Sequence, residues 1–523
     1  VQKALSALMV AACMAGPALA QRPVFDGITR GYAGTTVDIT ALTSAGKAIG
    51  DGVTDASPAF AAAVLLGYTG STTIFIPCGT YLLNSTKSFN IGNNVDLIGA
   101  GRDCVTIKFP AATVLSAPVF NIGVAGFKTT ISGITFDLAN ATTPGVLAVI
   151  SANTHRLDVV DSAFINGSDH MYFIGAVGQI DGFNISRNIF SSNSVADIAG
   201  QGCILVTTAA TNFSQNGIIA HNQAKNCGMA ITGHDIIIDA NTFSSWPTQG
   251  QAINVEAYAE TYNITITNNN AHGSAGGGSL ACLEVWGKNT LIANNQLHEC
   301  AGGGIDIGGQ NSVITGNIIW ENGVSTGASP GITIRYQDAT YNANGTFIEG
   351  NTIFDGGGGT QKYAIADQGD FGGGAGCGAQ ICSAIFGDNR LSGVLGPVQI
   401  RTTGDSYSAN ASVVNGGTTT GSANAHVLAA VTNPAIIPSN FVRGLTLQFV
   451  PGFSNSGATT LNVKTGIAAG IADLYSVPTK STGVIAINKL SAGSLVALAG
   501  GELLANMPTS VTYNGAVWVW GPR

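Results

Sequence analysis

The sequence predicts an all-β solenoid, in which short parallel strands stack coil upon coil. Three observations predict it. First, short strand-like runs recur through the middle of the chain: INVEAY (253–258), ACLEVW (281–286), IDIG (305–308) and ITIRYQ (332–337). Each has an apolar residue at every second place, so one face points inward and one outward. Second, each run is followed by a loop and an Asn-rich segment, as at 241–243, 268–270, 294–297, 317–319 and 351–354. The step is irregular, about 22–30 residues, which suits stacked repeats rather than a chain folded back on itself. Third, only 10% of the 523 residues are charged, while 71 are Gly and 45% are hydrophobic. Disordered chains are charged and poor in apolar residues, so this balance argues for order.

The elements follow in chain order. Residues 1–20, VQKALSALMVAACMAGPALA, read as a secretory signal peptide-like segment. Lys3 is a short basic region, 4–15 an apolar core, and Ala18, Leu19 and Ala20 a small-residue cleavage site. Residues 21–83 are a polar lead-in and a cap. Within them Thr54 or Asp55 can cap a helix, Pro58 suits its first turn, and 59–66 are good helix formers. Such a helix would cover the open end of the first coil, where apolar core and unpaired backbone would otherwise meet water. Residues 84–404 hold roughly ten coils, with Asn at the turns, where it tolerates left-handed backbone and can bond the next coil. Residues 405–425 form a turn-rich linker, and 426–523 alternate again as a small antiparallel β domain.

The net charge of −8 argues against a nucleic-acid partner, since phosphate binding needs a basic surface. No stretch after residue 20 approaches the ~20 apolar residues of a membrane span. Of nine Cys, Cys13 lies in the signal-like segment. The other eight pair as sequence neighbours: Cys78 with Cys104, Cys203 with Cys227, Cys282 with Cys300, and Cys377 with Cys382. An even number in an exported chain favours disulfides, and the competing reading is thiols buried in a solenoid core. No Cys spacing matches a zinc site.

The order GDGVTD (50–55), a helix, then IFIPCGTYLL (74–83) resembles the opening of the pectate-lyase-like superfamily. That group includes polysaccharide lyases, polygalacturonase-like hydrolases and phage tailspikes. The resemblance spans about 37–400. It implies a right-handed parallel β-helix with an N-terminal capping helix and the small C-terminal antiparallel domain behind it. At the other end, GSANAHVLA (421–429), GLTLQFVPGFSNSGATTLNV (444–463), LSAGSLVALAG (490–500) and TSVTYNGAVWVW (509–520) are similar to a β module at the ends of phage tail fibre and tail collar proteins. This resemblance implies a virion protein and, for tailspikes, a homotrimer. The signal-like segment departs from it and points to secretion.

The candidate site comes from aligning the runs on Val255, Leu283, Ile307 and Ile334. Their next neighbours are then Glu256, Glu284, Gly308 and Arg335, and the preceding outward column is Asn254, Cys282, Asp306 and Thr333. Tyr258, Trp286 and Gln337 follow two residues on, with His234 extending that column. Coils lie ~4.8 Å apart, so Glu256 and Glu284 are expected as direct neighbours. Two carboxylates can serve as acid and base, or acid and nucleophile, at a glycosidic bond. Stacked carboxylates repel, so one holds its proton more tightly. Tyr258 and Trp286 offer flat faces to sugar rings; Arg335 can neutralise a uronate or assist removal of a C5 proton. The competing reading is a solvated face whose charges happen to stack. Against it, acids are scarce in this chain yet gather here, with Glu260 and Asp338 close by.

No cofactor is expected. Asp367 and Asp370 are a candidate Ca²⁺ pair, with a structural turn as the alternative. His298 and Glu299 read as loop, Asp51 and Asp55 as turn and cap, and GGGIDIGG (302–309) lacks the βαβ unit of a phosphate loop. The expected function is binding, and depolymerisation, of a bacterial surface glycan by a tailspike-type protein on a virion tail or secreted. The alternatives are a secreted pectate-lyase-like or polygalacturonase-like enzyme, and a non-catalytic adhesin or fibre.

Overall fold

The computed structural model describes residues 35–367 apart from 43–45, 68–70, 85–87, 92–94, 112–117, 123–127, 140–142, 150–155, 168–169, 177–178, 194–201, 207–212, 245–250, 274–280, 325–328, 338–339 and 357. From 385 to 520 it describes strands and a few residues beside them. The signal-like segment, Asp338, Asp370, Cys377 and Cys382 lie outside the described residues.

Three parallel sheets of 14, 13 and 12 strands make up the solenoid, here called A, B and C. Each coil gives one strand to each in turn, as Arg156–Val160 to A, Ala163–Gly167 to B and His170–Ala176 to C. The next strand, Asp181–Ser186, returns to A and pairs in parallel with the coil before, Leu157 opposite Phe183. The strand counts exceed the ten coils expected. Thr35–Asp38 and Asp51–Asp55 already belong to sheets A and B, so coiling begins well before residue 84. At the far end Ser406–Tyr407 still pairs in sheet A, inside the expected linker.

The helix forms as expected, over Ser57–Gly67. The Asp55 carboxylate accepts from the Ser57 N–H at 2.9 Å, and Asp51 accepts from Val53 and Thr54 at 2.9 and 2.7 Å. These two acids shape a cap and a turn. Phe60 and Ala63 are wholly buried, and the Phe60 ring lies 6.4 Å from Tyr81 and 6.3 Å from Phe89. The helix thus seals the interior of the first coils. Behind it the core continues as a column of rings, with Phe136, Phe164 and Phe190 stacked at 5.0 and 5.2 Å. Further along sheet B the same inward column becomes Ala224, Phe243, Ala271, Leu297, Ile319 and Ile353.

The A-to-B turn is two residues long, and its chemistry repeats. The first residue has left-handed backbone, as at Asp161, Arg187, His221, Ala240, Asn268, Asn294, Gly316 and Gly350, with φ between 52° and 67°. The second is Ser162 after Asp161 and an Asn in the turns that follow, its amide joined in a ladder. Asn188 opens the ladder, and Asn222, Asn241, Asn269, Asn295, Asn317, Asn351 and Asn389 each accept from the Asn one coil before, at 2.9–3.1 Å from side chain to side chain. The same oxygens accept the preceding backbone N–H, so each amide is saturated despite burial. The sequence reading merged these two tasks into one Asn; the structure divides them between neighbours.

Disulfides join Cys78 to Cys104, Cys203 to Cys227 and Cys282 to Cys300, with Cα–Cα distances of 4.8, 5.3 and 5.6 Å. Each closes about one coil.

Strands between Val413 and Trp520 form a sheet of nine. It is mixed rather than antiparallel: Ala425–Leu428 pairs in parallel with Thr459–Val463, while Thr446–Val450 and Thr509–Tyr513 pair antiparallel. Val413–Thr418 and Thr420–Ser422 of this sheet occupy the rest of the expected linker.

Candidate functional site

The site sits on the outer face of sheet C. Its strands here are three residues long, with the outer two buried and the middle one facing out, as in Ile253–Val255 and Leu283–Val285. The middle residues form one column across the sheet. It opens with Asn90 and Asn121 and reads on through Ala148, Gly175, Leu205, Ala230; then Asn254, Glu284, Asp306, Thr333; then Ala366 and Gln399. Small or apolar residues flank the four polar ones on both sides. Polar residues recur in this column at Asn90, Asn121 and Gln399, but its carboxylates are confined to Glu284 and Asp306.

The register corrects the expected alignment. Val285, not Leu283, lies opposite Val255 and Ile307. Glu284 therefore stands between Asn254 and Asp306, and Glu256 is not its direct partner. Alternation could not decide this, because Leu283 and Val285 are both apolar and two residues apart. Beyond the strands the next positions are Glu256, Trp286, Gly308 and Arg335.

Glu284 is held by several donors. The Gln251 amide donates to one oxygen, and the Trp286 indole N–H donates to the other at 3.0 Å. The Arg335 guanidinium lies 4.0 Å from that second oxygen. These donors fix the orientation of the carboxylate. Glu256 is placed differently. Its Oε1 accepts from the Asn254 amide at 2.7 Å. Burial, then the negative charge of Glu284, raises its pKa above the ordinary Glu value. Two carboxyls close in space thus sit in different environments, one held by several donors and the other buried beside a negative charge.

Asp306 takes another part. It is only 3% exposed and bonds Arg335 directly. Burial pushes its carboxyl up, and the Arg335 charge pulls it down. Its place is beneath Arg335, holding the guanidinium toward Glu284.

Trp286 owes its place to a glycine. A Cβ on Gly308 would sit 2.1 Å from the indole Cε3, so the ring occupies the space a side chain there would need. Tyr258 is 39% exposed, in the turn after Glu256. Gln337 is exposed, its N–H bonded to the Tyr341 carbonyl in a hairpin after Arg335. Both edge the site rather than line its column.

His234 does not join them. It lies on sheet A, in Gly233–Asp239 opposite Gln215 and Tyr262. Its ring stacks on Tyr262 at 4.6 Å, and its Nδ1 bonds Asp235 at 2.7 Å. His298 is not loop but sheet B strand, in a ring stack with His272 at 5.2 Å and Trp320 at 4.1 Å. Cys282, expected in the polar column, is buried in its disulfide. Gln251 was missed, because it precedes the strand and no pattern marks it. Among the described residues no group of three or more His, Cys, Asp and Glu is placed to hold a metal ion.

Stacked parallel sheets with a tight A-to-B turn define the chain as a right-handed parallel β-helix protein. Residues 218–366, which contain the whole site, match the family described as right handed beta helix region. In solved structures the chain is similar to the A-module of mannuronan C-5 epimerase AlgE6 of Azotobacter vinelandii, at 18% identity over 70% of this chain and 97% of that one, with a TM-score of 0.54. The AlgE4 A-module from the same organism is alike at 17% identity, 69% and 98% coverage and a TM-score of 0.55. A tailspike protein of E. coli bacteriophage HK620, solved in complex with a pentasaccharide, is more distant: 14% identity, 72% and 64% coverage, TM-score 0.46. These likenesses are of fold. No curated protein sequence matches the chain. Among the described residues no helix is long and apolar enough to cross a membrane.

Proposed function

We propose that this chain is a polysaccharide-depolymerising β-helix protein of tailspike type that cleaves glycosidic bonds in a bacterial surface glycan. The observation that carries this reading is the pair Glu256 and Glu284. Glu256 is biased toward its protonated form by burial and by its neighbour, so it serves as general acid to the leaving oxygen. Glu284 is oriented by Gln251, Trp286 and Arg335, so it serves as the second carboxylate at the sugar carbon, as base or nucleophile. Trp286 and Tyr258 border the path of the chain and offer flat contact to sugar rings. Asp306 and Arg335 position Glu284 rather than touch substrate.

On this reading the protein works outside the cell. The resemblance of 421–520 to phage tail modules supports a virion tail, and the signal-like 1–20 supports secretion. Homotrimer formation belongs to the tailspike part of the proposal, and sedimentation of the purified chain tests it. No cofactor enters the proposed step.

The test of activity is release of reducing ends from surface glycans of candidate host bacteria. Wild type should shorten the glycan, and Glu256→Gln and Glu284→Gln should each slow it by about 10²–10⁴-fold while folding normally. Cleavage by either amide variant at the wild-type rate would refute the assignment. Binding without new reducing ends in wild type would establish the adhesin alternative.

A further inference from the structure

Arg335 raises a question of substrate class. A lone arginine among carboxylates invites the role of uronate binder, and the sequence reading gave it that role. The structure commits it elsewhere. One guanidinium nitrogen bonds Asp306 and another lies 4.0 Å from Glu284. Asp306 is 3% exposed, so drawing Arg335 away to a substrate would leave a buried carboxylate without its counter-charge.

The surroundings offer little to replace it. Between Lys225 and Lys362 the chain carries eleven Asp and Glu but only two Lys or Arg, Lys288 and Arg335. Lys288 sits past the turn, bridged to Tyr262 at the start of sheet A. The sequence leading into these strands, at 245–250, 274–280 and 325–328, contains no Lys or Arg. Three carboxyls, Glu256, Glu284 and Asp306, share the site itself with the single guanidinium. Acids outnumber the one cation here, and an excess of negative charge disfavours an anionic ligand. A polyuronate carries a carboxylate on every residue and would meet this excess along its length.

We propose that the glycan stretch crossing this site is uncharged, built of neutral hexose or N-acetylhexosamine units without carboxylate, sulfate or phosphate. The inference rests on the glycosidase reading above and narrows it. It separates this chain by substrate from relatives of the fold whose names state action on a uronate polymer, mannuronan, whatever backbone they share. Recognition then falls to ring contacts with Trp286 and Tyr258 and to the polar rim, not to ion pairing.

The test uses polysaccharides extracted from candidate host bacteria and divided on an anion exchanger into uncharged and uronate-bearing fractions. Wild type, Glu256→Gln and Glu284→Gln are incubated with each fraction, with and without Ca²⁺, and reducing ends and absorbance near 235 nm are followed. The proposal expects wild type to shorten the uncharged fraction about 100-fold faster than the other, with little dependence on salt, and both variants to lose that activity. Faster attack on the uronate-bearing fraction, abolished in both variants, would overturn the neutral-substrate inference and leave the catalytic pair standing. Attack on either fraction that survives both substitutions, or no attack on either, would overturn both.

Discussion

At the scale of single residues, the site works through unequal environments for two like side chains. Glu256 is raised by burial and by Glu284, so its protonated form persists to higher pH than for an exposed Glu. The sign follows directly. Activity that needs Glu256 protonated is lost as pH rises through its folded value, so the alkaline limb of the rate profile belongs to Glu256. In Glu256→Gln that limb should vanish, whatever rate remains; a pH profile of reducing-end release checks it. Gly308 carries a second prediction. Any side chain there meets the indole of Trp286, which would move and release its bond to Glu284. Gly308→Ala should therefore slow cleavage by about 10²-fold with a far-ultraviolet spectrum like wild type. A variant with unchanged rate would show that the indole donor is dispensable.

At the scale of elements, the two-residue A-to-B turn decides register for the whole stack. Asn268 supplies a left-handed backbone at φ 56°, while Asn269 supplies a buried amide that accepts from Asn241 and donates to Asn295. These tasks call for different chemistry. Asn268→Gly should change stability by less than about 1 kcal/mol, as the natural Gly316 and Gly350 at equivalent turns indicate. Asn269→Ala breaks the ladder and leaves buried partners unpaired, and should cost about 2–3 kcal/mol or more. Chemical unfolding of the two variants measures the contrast. The ladder also explains what the sequence showed and hid. Coils, the helix at Ser57–Gly67 and the Asn turns were legible because alternation, capping residues and turn residues are local signals. The register of Leu283–Val285 was not, because alternation is blind to a shift of two. Counting back from the ladder would have resolved it: Val285 and Ile307 lie ten residues before Asn295 and Asn317 alike. His234 was misplaced for a related reason, since its sheet is set by the coil's loops and not by its neighbours in sequence.

At the scale of the molecule, stability in a solenoid is close to a sum of coils and their interfaces. A local cross-link then acts locally. Cys282–Cys300, with a separation of 18 residues, closes the coil that carries Glu284. Closing a loop of this size is worth about 3 kcal/mol in the chain-entropy account. Cys282→Ser with Cys300→Ser should raise amide hydrogen exchange around 281–300 while leaving 95–137 unchanged, and mass spectrometry of digested fragments reads both regions. Uniform change along the chain would contradict the one-dimensional account. The same geometry is what turns residues far apart in sequence into one site, because the coil between Glu256 and Glu284 returns the chain to the same face.

That claim is open to a measurement needing no substrate. Carboxyl ¹³C resonances of Glu, titrated by nuclear magnetic resonance in wild type, Glu256→Gln and Glu284→Gln, report the coupling itself. The prediction is one Glu titrating above the ordinary range, absent in Glu256→Gln and shifted down in Glu284→Gln, where the neighbouring negative charge is gone. A Glu256 signal at the ordinary value, or one indifferent to the loss of the Glu284 charge, would contradict the shared site.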